Sequence, residues 1–173
     1  RMNRRVDRAS TEELLGKLRT AIPNLTLRTT FIVGFPGETE AEFEELCEFV
    51  QQQRFERLGV FPYSLEPGTP AERLPEHLPE EVKQARRDRL MQIQQGIAFA
   101  HAVAQVGKEM DLIVDGADPE VPGHYLARSM ADAPDIDTVV RLKGKNLAPG
   151  DIVQSRITAA DGYDLMARAI RIR

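Results

Sequence analysis

The chain has 173 residues, 42% of them hydrophobic and 29% charged, with 27 Asp and Glu against 23 Lys and Arg and a formal charge of −4. That composition belongs to a soluble globular protein and excludes collagen-like, mucin-like and wholly disordered chains. No apolar run approaches the roughly 20 residues that a membrane-spanning helix needs, and the acidic balance argues against non-specific nucleic-acid binding, where a basic face dominates affinity.

The N-terminal Arg1-Met2-Asn3-Arg4-Arg5 runs into charge and not into an apolar block, so no secretory signal is expected. With its methionine in second place, the chain is expected to be a fragment or an engineered piece. Ser10-Thr11-Glu12-Glu13 has the form of a capping box, and Leu14, Leu15, Leu18 and Ile22 follow at helical spacing. Leu25 to Val33 reads as a strand that ends in the turn Gly34-Phe35-Pro36-Gly37. A second box, Thr39-Glu40-Ala41-Glu42, opens a helix with Phe43, Leu46, Cys47 and Val50 on one face. Arg57 to Ser64 supplies the next strand, and strand, helix, strand in this order implies a parallel βαβ unit.

Pro67, Pro70, Pro75 and Pro79 make Leu65 to Pro79 mostly loop. From Glu80 a long helix runs to about Gln105, with Val82, Leu90, Ile93 and Ile97 as its buried stripe. Five short strands follow, at Met110 to Val114, His124 to Met130, Thr138 to Leu142, Ile152 to Thr158 and Tyr163 to Ile170. Asp115-Gly116, Gly144, Gly150-Asp151 and Asp161-Gly162 punctuate them. The fold class is therefore α/β followed by all-β, the second part a small closed or nearly closed OB-like barrel. The boundaries expected are 1–78 for the α/β part, 79–104 for a connecting helix and 105–173 for the barrel.

The stretch Arg28 to Thr39 carries the most information. It places a strand end, two glycines and a helix N-terminus together, so the backbone can approach a ligand and free N–H groups can meet an anionic or hydrogen-bond-accepting group. An ordinary strand-to-helix connection accounts for the same spacing. Cys47, the only cysteine, cannot form an intrachain disulfide or a multi-thiolate metal site; it fits a small core residue in a reducing, cytoplasmic setting. His77, His101 and His124 show no metal-ligand spacing. Arg86, Arg87 and Arg89 read as a solvated face of the long helix.

Ile32-Val33-Gly34-Phe35-Pro36-Gly37-Glu38-Thr39 resembles the penultimate-strand motif of the radical S-adenosylmethionine (SAM) methylthiotransferases. Tyr63-Ser64-Leu65-Glu66-Pro67-Gly68-Thr69-Pro70-Ala71 resembles the segment after their last barrel strand, and the five-stranded tail is similar to their TRAM domain. The resemblance implies the last β/α units of a partial TIM-like radical SAM barrel followed by the TRAM domain. It also implies that Ile32, Gly34, Phe35 and Gly37, with Val60, Phe61, Tyr63 and Ser64, contact SAM. Arg28-Thr29-Thr30 stands where tRNA-modifying relatives more often carry Thr-Asp, and Ala131 to Asp137 with Tyr163-Asp164-Leu165 resemble the RimO-type branch. That branch methylthiolates the β-carbon of an aspartate in small-subunit ribosomal protein twelve. A tRNA adenosine is the alternative substrate, and a non-enzymatic protein- or RNA-binding module the alternative of another class.

The family's Cys-x-x-x-Cys-x-x-Cys loop and its further N-terminal cysteines are absent, so neither of its two iron–sulfur clusters can be held here, and the fragment is expected to be inactive alone. Residues 105–173 hold 11 acids and 9 bases, a balance that favours a basic ribosomal protein over tRNA. Glu120, Asp132, Asp135 and Asp137 are the candidate contacts, with Arg128 the lone base among them. An incomplete barrel would also leave an open strand edge with Leu25, Leu27, Phe31, Ile32 and Val33, from which self-association is expected.

Overall fold

The structure, a computed structural model, describes residues 5–134 and 136–173. Readings placed on residues 1–4 and on Asp135 lie outside the described residues. The chain forms two compact units; the first ends at Ile97 and the second runs Ala98–Arg173.

The first unit opens with α1 (Arg8–Ala21), β1 (Arg28–Val33), α2 (Glu40–Gln53) and β2 (Arg57–Pro62). The helix α1 starts two residues before the expected capping box. Asp7 is the cap, its carboxylate accepting the Ser10 N–H at 2.8 Å, because the short Asp side chain reaches back to an orphan amide of the first turn. Those Ser10 hydrogen bonds hold its carboxyl below the usual carboxylate range. Of the expected stripe only Leu15 is buried, and Leu14 and Ile22 face solvent. The second capping box forms as the sequence predicts: Thr39 Oγ1 accepts the Glu42 N–H at 3.2 Å and Glu42 Oε2 accepts the Thr39 N–H at 2.7 Å.

The strand β1 is three residues shorter than expected at its start, because the Leu27 N–H goes to the Glu56 carboxylate at 2.8 Å and not to a ladder. It pairs in parallel with β2, from Arg28 opposite Arg57 to Val33 opposite Pro62. Phe31, Val33, Leu58 and Val60 turn to the core face, where Phe43, Phe49, Val50 and Phe55 meet them. Burying each of these side chains contributes about 1.5–3 kcal/mol. The loop Leu65–Pro79 contains one 3₁₀ turn, Pro70–Arg73.

The helix α3 (Glu80–Val103) differs from its expected stripe. Val82 is 36% exposed, whereas Lys83, Arg86, Leu90, Gln94 and Ile97, spaced three or four apart, are all buried. Gln94 donates to the Phe55 carbonyl at 2.9 Å. A search for apolar periodicity alone passes over three of these five positions because they are polar.

The second unit is a closed barrel of β3 (Glu109–Ala117), β4 (His124–Ser129), β5 (Val140–Lys143), β6 (Ile152–Asp161) and β7 (Asp164–Ile172), in the order β3-β4-β5-β7-β6. All pairs are antiparallel except β5 with β7. Leu112, Val114, Ala127, Val140, Leu142, Val153, Ile157 and Ala167 fill the interior. Asp115-Gly116 forms no turn: it sits inside β3 as a bulge, where the register shifts between Val114 and Gly116. The end of α3 belongs to this unit through Phe99, whose ring meets Tyr163 edge-on at 4.8 Å in the hairpin between β6 and β7.

Leu142→Ala removes a side chain with no exposure from the barrel interior and is expected to destabilise the barrel by about 2–5 kcal/mol. Met130→Ala, at a residue 99% exposed, is expected to stay within about 0.5 kcal/mol. Urea unfolding of the two variants tests whether the interior is packed as described; equal midpoints would contradict it.

Candidate functional site

The C-terminal ends of β1 and β2 lie side by side, as parallel pairing requires, and they carry the residues that the sequence singles out. Their alternation sets Ile32 and Phe61 on one face and Val60 on the other. Ile32 and Phe61 are register partners on the face away from the core, where they are 41% and 60% exposed. Val60 is buried in the core on the opposite face, so its side chain is structural. Tyr63 is buried just beyond β2, its N–H bonded to the Val33 carbonyl at 2.8 Å, and Ser64 is exposed.

The turn after β1 brings Gly34, Phe35 and Gly37 to the same end. Three of its amide groups, those of Gly34, Gly37 and Glu38, are taken by the chain's own acceptors. Gly34 N–H donates to Glu38 Oε1 at 2.9 Å, Gly37 N–H to the Glu76 carbonyl at 2.9 Å, and Glu38 N–H to the Phe35 carbonyl at 2.9 Å. Arg86 secures the arrangement from α3, with Nη1 donating to Glu38 Oε1 at 2.6 Å and to the Glu38 carbonyl at 3.0 Å, and Nη2 to Glu40 Oε2 at 3.0 Å. The Arg86 and Glu38 side chains are only 8% and 15% exposed. Arg86, read from sequence as part of a solvated face, is thus a buried tie. Arg89 keeps to the surface, paired with Glu44, and Arg87 pairs with Asp88.

Gly34 is required twice over. Its φ of +75° belongs to the left-handed region, and a Cβ there would lie 2.5 Å from Lys83 Cγ. The same lysine sends Nζ over the Tyr63 ring at 5.6 Å and to Glu80 at 3.1 Å. Tyr63 meets Phe35 edge-on at 5.2 Å and lies 6.1 Å from the His77 ring. Its hydroxyl is buried with no hydrogen-bond partner among the described residues. Glu38, Lys83 and Arg86 are the members of this constellation that sequence patterns miss.

Cys47 sits in the core of the first unit, and burial pushes its thiol up, with Arg89 opposing only in part. A thiol so placed is a packing residue and not a nucleophile or thiolate ligand. Among the described residues no group of three His, Cys, Asp or Glu side chains could hold a metal ion. The acids named as substrate contacts are engaged locally. Asp132 Oδ2 accepts the Ser129 N–H and hydroxyl at 3.1 and 2.6 Å, Asp137 Oδ2 accepts the Ala133 N–H at 2.7 Å, and Glu120 pairs with Arg141 at 2.6 Å. Arg128 pairs with Asp115 at 3.2 Å. Burial raises the Asp118 carboxyl, but the Glu120 and Val121 N–H groups and Arg141 outweigh it and hold it below the usual range.

Gly34→Ala is expected to cost more stability than Gly68→Ala. Both force a left-handed residue, at about 1–2 kcal/mol, but Gly68 has open space beyond its Cα and Gly34 has Lys83. Arg86→Met, which leaves Glu38 short of its buried partner, is expected to cost about 3 kcal/mol. Denaturant titration followed by near-ultraviolet signal from Tyr63 measures both; equal losses at the two glycines would refute the close contact.

Comparison with known proteins adds descent to this geometry. A family model described as the TRAM domain matches residues 106–170, the closed barrel. A protein of Thermosynechococcus vestitus named ribosomal protein uS12 methylthiotransferase RimO is 49% identical over 164 residues, covering 95% of this chain and 36% of that protein. Proteins of the same name from Anaeromyxobacter sp. (strain K) and Pelotomaculum thermopropionicum are 46% and 45% identical over 98% of this chain, covering 36% and 38% of theirs. The chain therefore spans a little over a third of the length of the curated relatives it matches. A TRAM domain at residues 106–170, joined to homology along nearly the whole chain, places this protein in the RimO-type methylthiotransferase family.

Proposed function

We propose that the chain supplies one wall of the SAM pocket and a substrate-docking barrel to a methylthiotransferase that modifies an aspartate of ribosomal protein uS12. The observation that carries this reading is identity of 44–49% along nearly the whole chain with proteins of that name. The residues at the ends of β1 and β2 suit one side of SAM. Ile32 and Phe61 offer a solvent-facing apolar surface beside the turn, of the kind that covers a flat heterocycle. The buried hydroxyl of Tyr63 has hydrogen-bonding capacity to spare at the same end.

When bound in the whole enzyme, SAM and the clusters supply the radical and sulfur chemistry. The residues here bind and orient. Ile32 and Phe61 exclude water from one face of the cofactor, and Phe35 and Tyr63 stiffen the turn behind it. Glu38 and Arg86 hold the glycine backbone so that the wall keeps its shape when empty. The clusters themselves do not fit this chain, because Cys47 is its one thiol and lies in the core. On the substrate side, Glu120, 71% exposed at its side chain, heads the candidate contacts for a basic protein.

The isolated chain is expected to stay colourless on anaerobic incubation with iron and sulfide, and a stoichiometric cluster by iron analysis would overturn the reading of Cys47. It is also expected to self-associate, because the Ile32–Phe61 face is exposed and each strand of the two-stranded sheet has one unpaired edge among the described residues. Light scattering on the chain and on Phe61→Glu tests this: the substitution is expected to lower the associated fraction, and a wild-type chain that stays monomeric at high concentration speaks against the open-wall reading. In the parent enzyme, the same substitution is expected to raise the KM for SAM at least tenfold.

A further inference from the structure

The loop after β2 folds back to the end of the sheet and is held mostly by itself. Within it, the Gly68 N–H donates to Glu72 Oε2 at 2.7 Å and the Thr69 hydroxyl to the Glu66 carbonyl at 2.8 Å. His77 Nε2 lies 3.2 Å from the Glu72 carbonyl, and the Leu74 N–H closes the 3₁₀ turn on the Ala71 carbonyl at 3.2 Å. These bonds let residues 66–77 move as one piece, as compact surface loops do. Among the described residues, Leu65, Leu74 and Leu78 do not join the hydrophobic core of the first unit.

Among the described residues, one backbone hydrogen bond joins this strap to the wall: the Gly37 N–H donates to the Glu76 carbonyl at 2.9 Å. The His77 ring, 6.1 Å from that of Tyr63, adds a loose contact. Two features show that the closed arrangement is not relaxed. Glu76 has a φ of +64°, in the left-handed region that a Cβ disfavours. The Tyr63 hydroxyl is buried without a partner among the described residues, a cost that water admitted under a lifted strap removes. The strained residue is also the one that supplies the carbonyl, so the strain is held by the contact it makes with Gly37.

We propose that the strap of residues 66–77 is a gate, closed in this structure, whose Glu76 carbonyl holds the place of a backbone carbonyl of the substrate polypeptide. When the strap lifts, the Gly37 N–H is left at the end of the wall, and a peptide carbonyl restores the lost bond in kind. An anion suits the position less well, because the nearby cations are engaged: Lys83 with Glu80, and Arg86 with Glu38 and Glu40. The choice of a polypeptide rests on the reading of uS12 as substrate.

Amide exchange at Gly37, followed by NMR on this chain, measures how often the strap lifts. In the wild type Gly37 should exchange faster than Val50, a buried residue of α2, because the gate opens without unfolding. Glu76→Gly removes the left-handed strain from the closed state and is expected to slow Gly37 exchange at least about fivefold. Glu76→Gln removes the same charge, keeps the strain and should stay within about twofold of the wild type. Purified uS12, titrated against the three chains by calorimetry, reports the substrate side. Apparent affinity falls with the open fraction, so Glu76→Gly should bind uS12 about fivefold more weakly than Glu76→Gln does. Gly37 exchange as slow as that of Val50, or equal in the two variants, overturns the gate. Equal uS12 affinities in the two variants, with exchange slowed in one, overturn the stand-in role of Glu76. Absence of uS12 binding to all three chains counts against the substrate reading instead, and exchange at Gly37 still decides the gate.

Discussion

One carboxylate organises the first unit. Glu38 Oε1 receives the Gly34 N–H and the Arg86 guanidinium at once, and so joins the end of β1, the start of α2 and the buried face of α3 at a single oxygen. Each participant would be costly alone: a strained glycine turn, a buried cation and a largely buried anion. Together each satisfies the others, which is the condition under which charge inside a protein is tolerated. The consequence for recognition is specific. The turn spends its Gly34, Gly37 and Glu38 amides on its own chain, so in this arrangement these three stiffen the wall and do not reach outward. A glycine-rich turn at a helix N-terminus suggests anion binding on sequence grounds, and here one carboxylate of the chain itself already sits on the Gly34 N–H.

The fold was largely readable because its signals are local. The Thr39–Glu42 capping box, the Phe43–Cys47–Val50 face and the short alternating strands of the barrel each follow from spacing over fewer than ten residues. The errors share a cause as well. Asp7 displaced Ser10 as a cap, since both residue types are good caps and spacing alone does not choose between them. Asp115-Gly116 looked like a turn and became a bulge, since Gly serves either purpose. The polar members of the α3 stripe, Lys83, Arg86 and Gln94, were invisible because their partners lie about 40 residues or more away in sequence, at Gly34, Glu38 and Phe55. The candidate site was legible as a location and not as a mechanism of support: sequence points to the turn and to Phe61, while the hydrogen bonds that hold the turn need three dimensions.

A net charge summed over residues 105–173 takes no account of how each charge is held. Asp132 and Asp137, which weigh heavily in such a sum, act as hydrogen-bond acceptors for neighbouring loop amides. What a partner meets is set by the carboxylates and cations left over after these internal duties are met.

The place of β7 in the barrel has a consequence for synthesis. It lies between β5 and β6, parallel to one and antiparallel to the other, so no sequence of hairpins can close the barrel without it. While a ribosome still shields Asp164–Ile172, β5 and β6 have no common neighbour and the acquired strands remain an open, curled ribbon. Closure is therefore delayed until that strand is free to pair, and until then the earlier strands keep unpaired edges. A chain cut short before Asp164 would keep seven of the eight residues that fill the interior, all but Ala167, and still have no barrel.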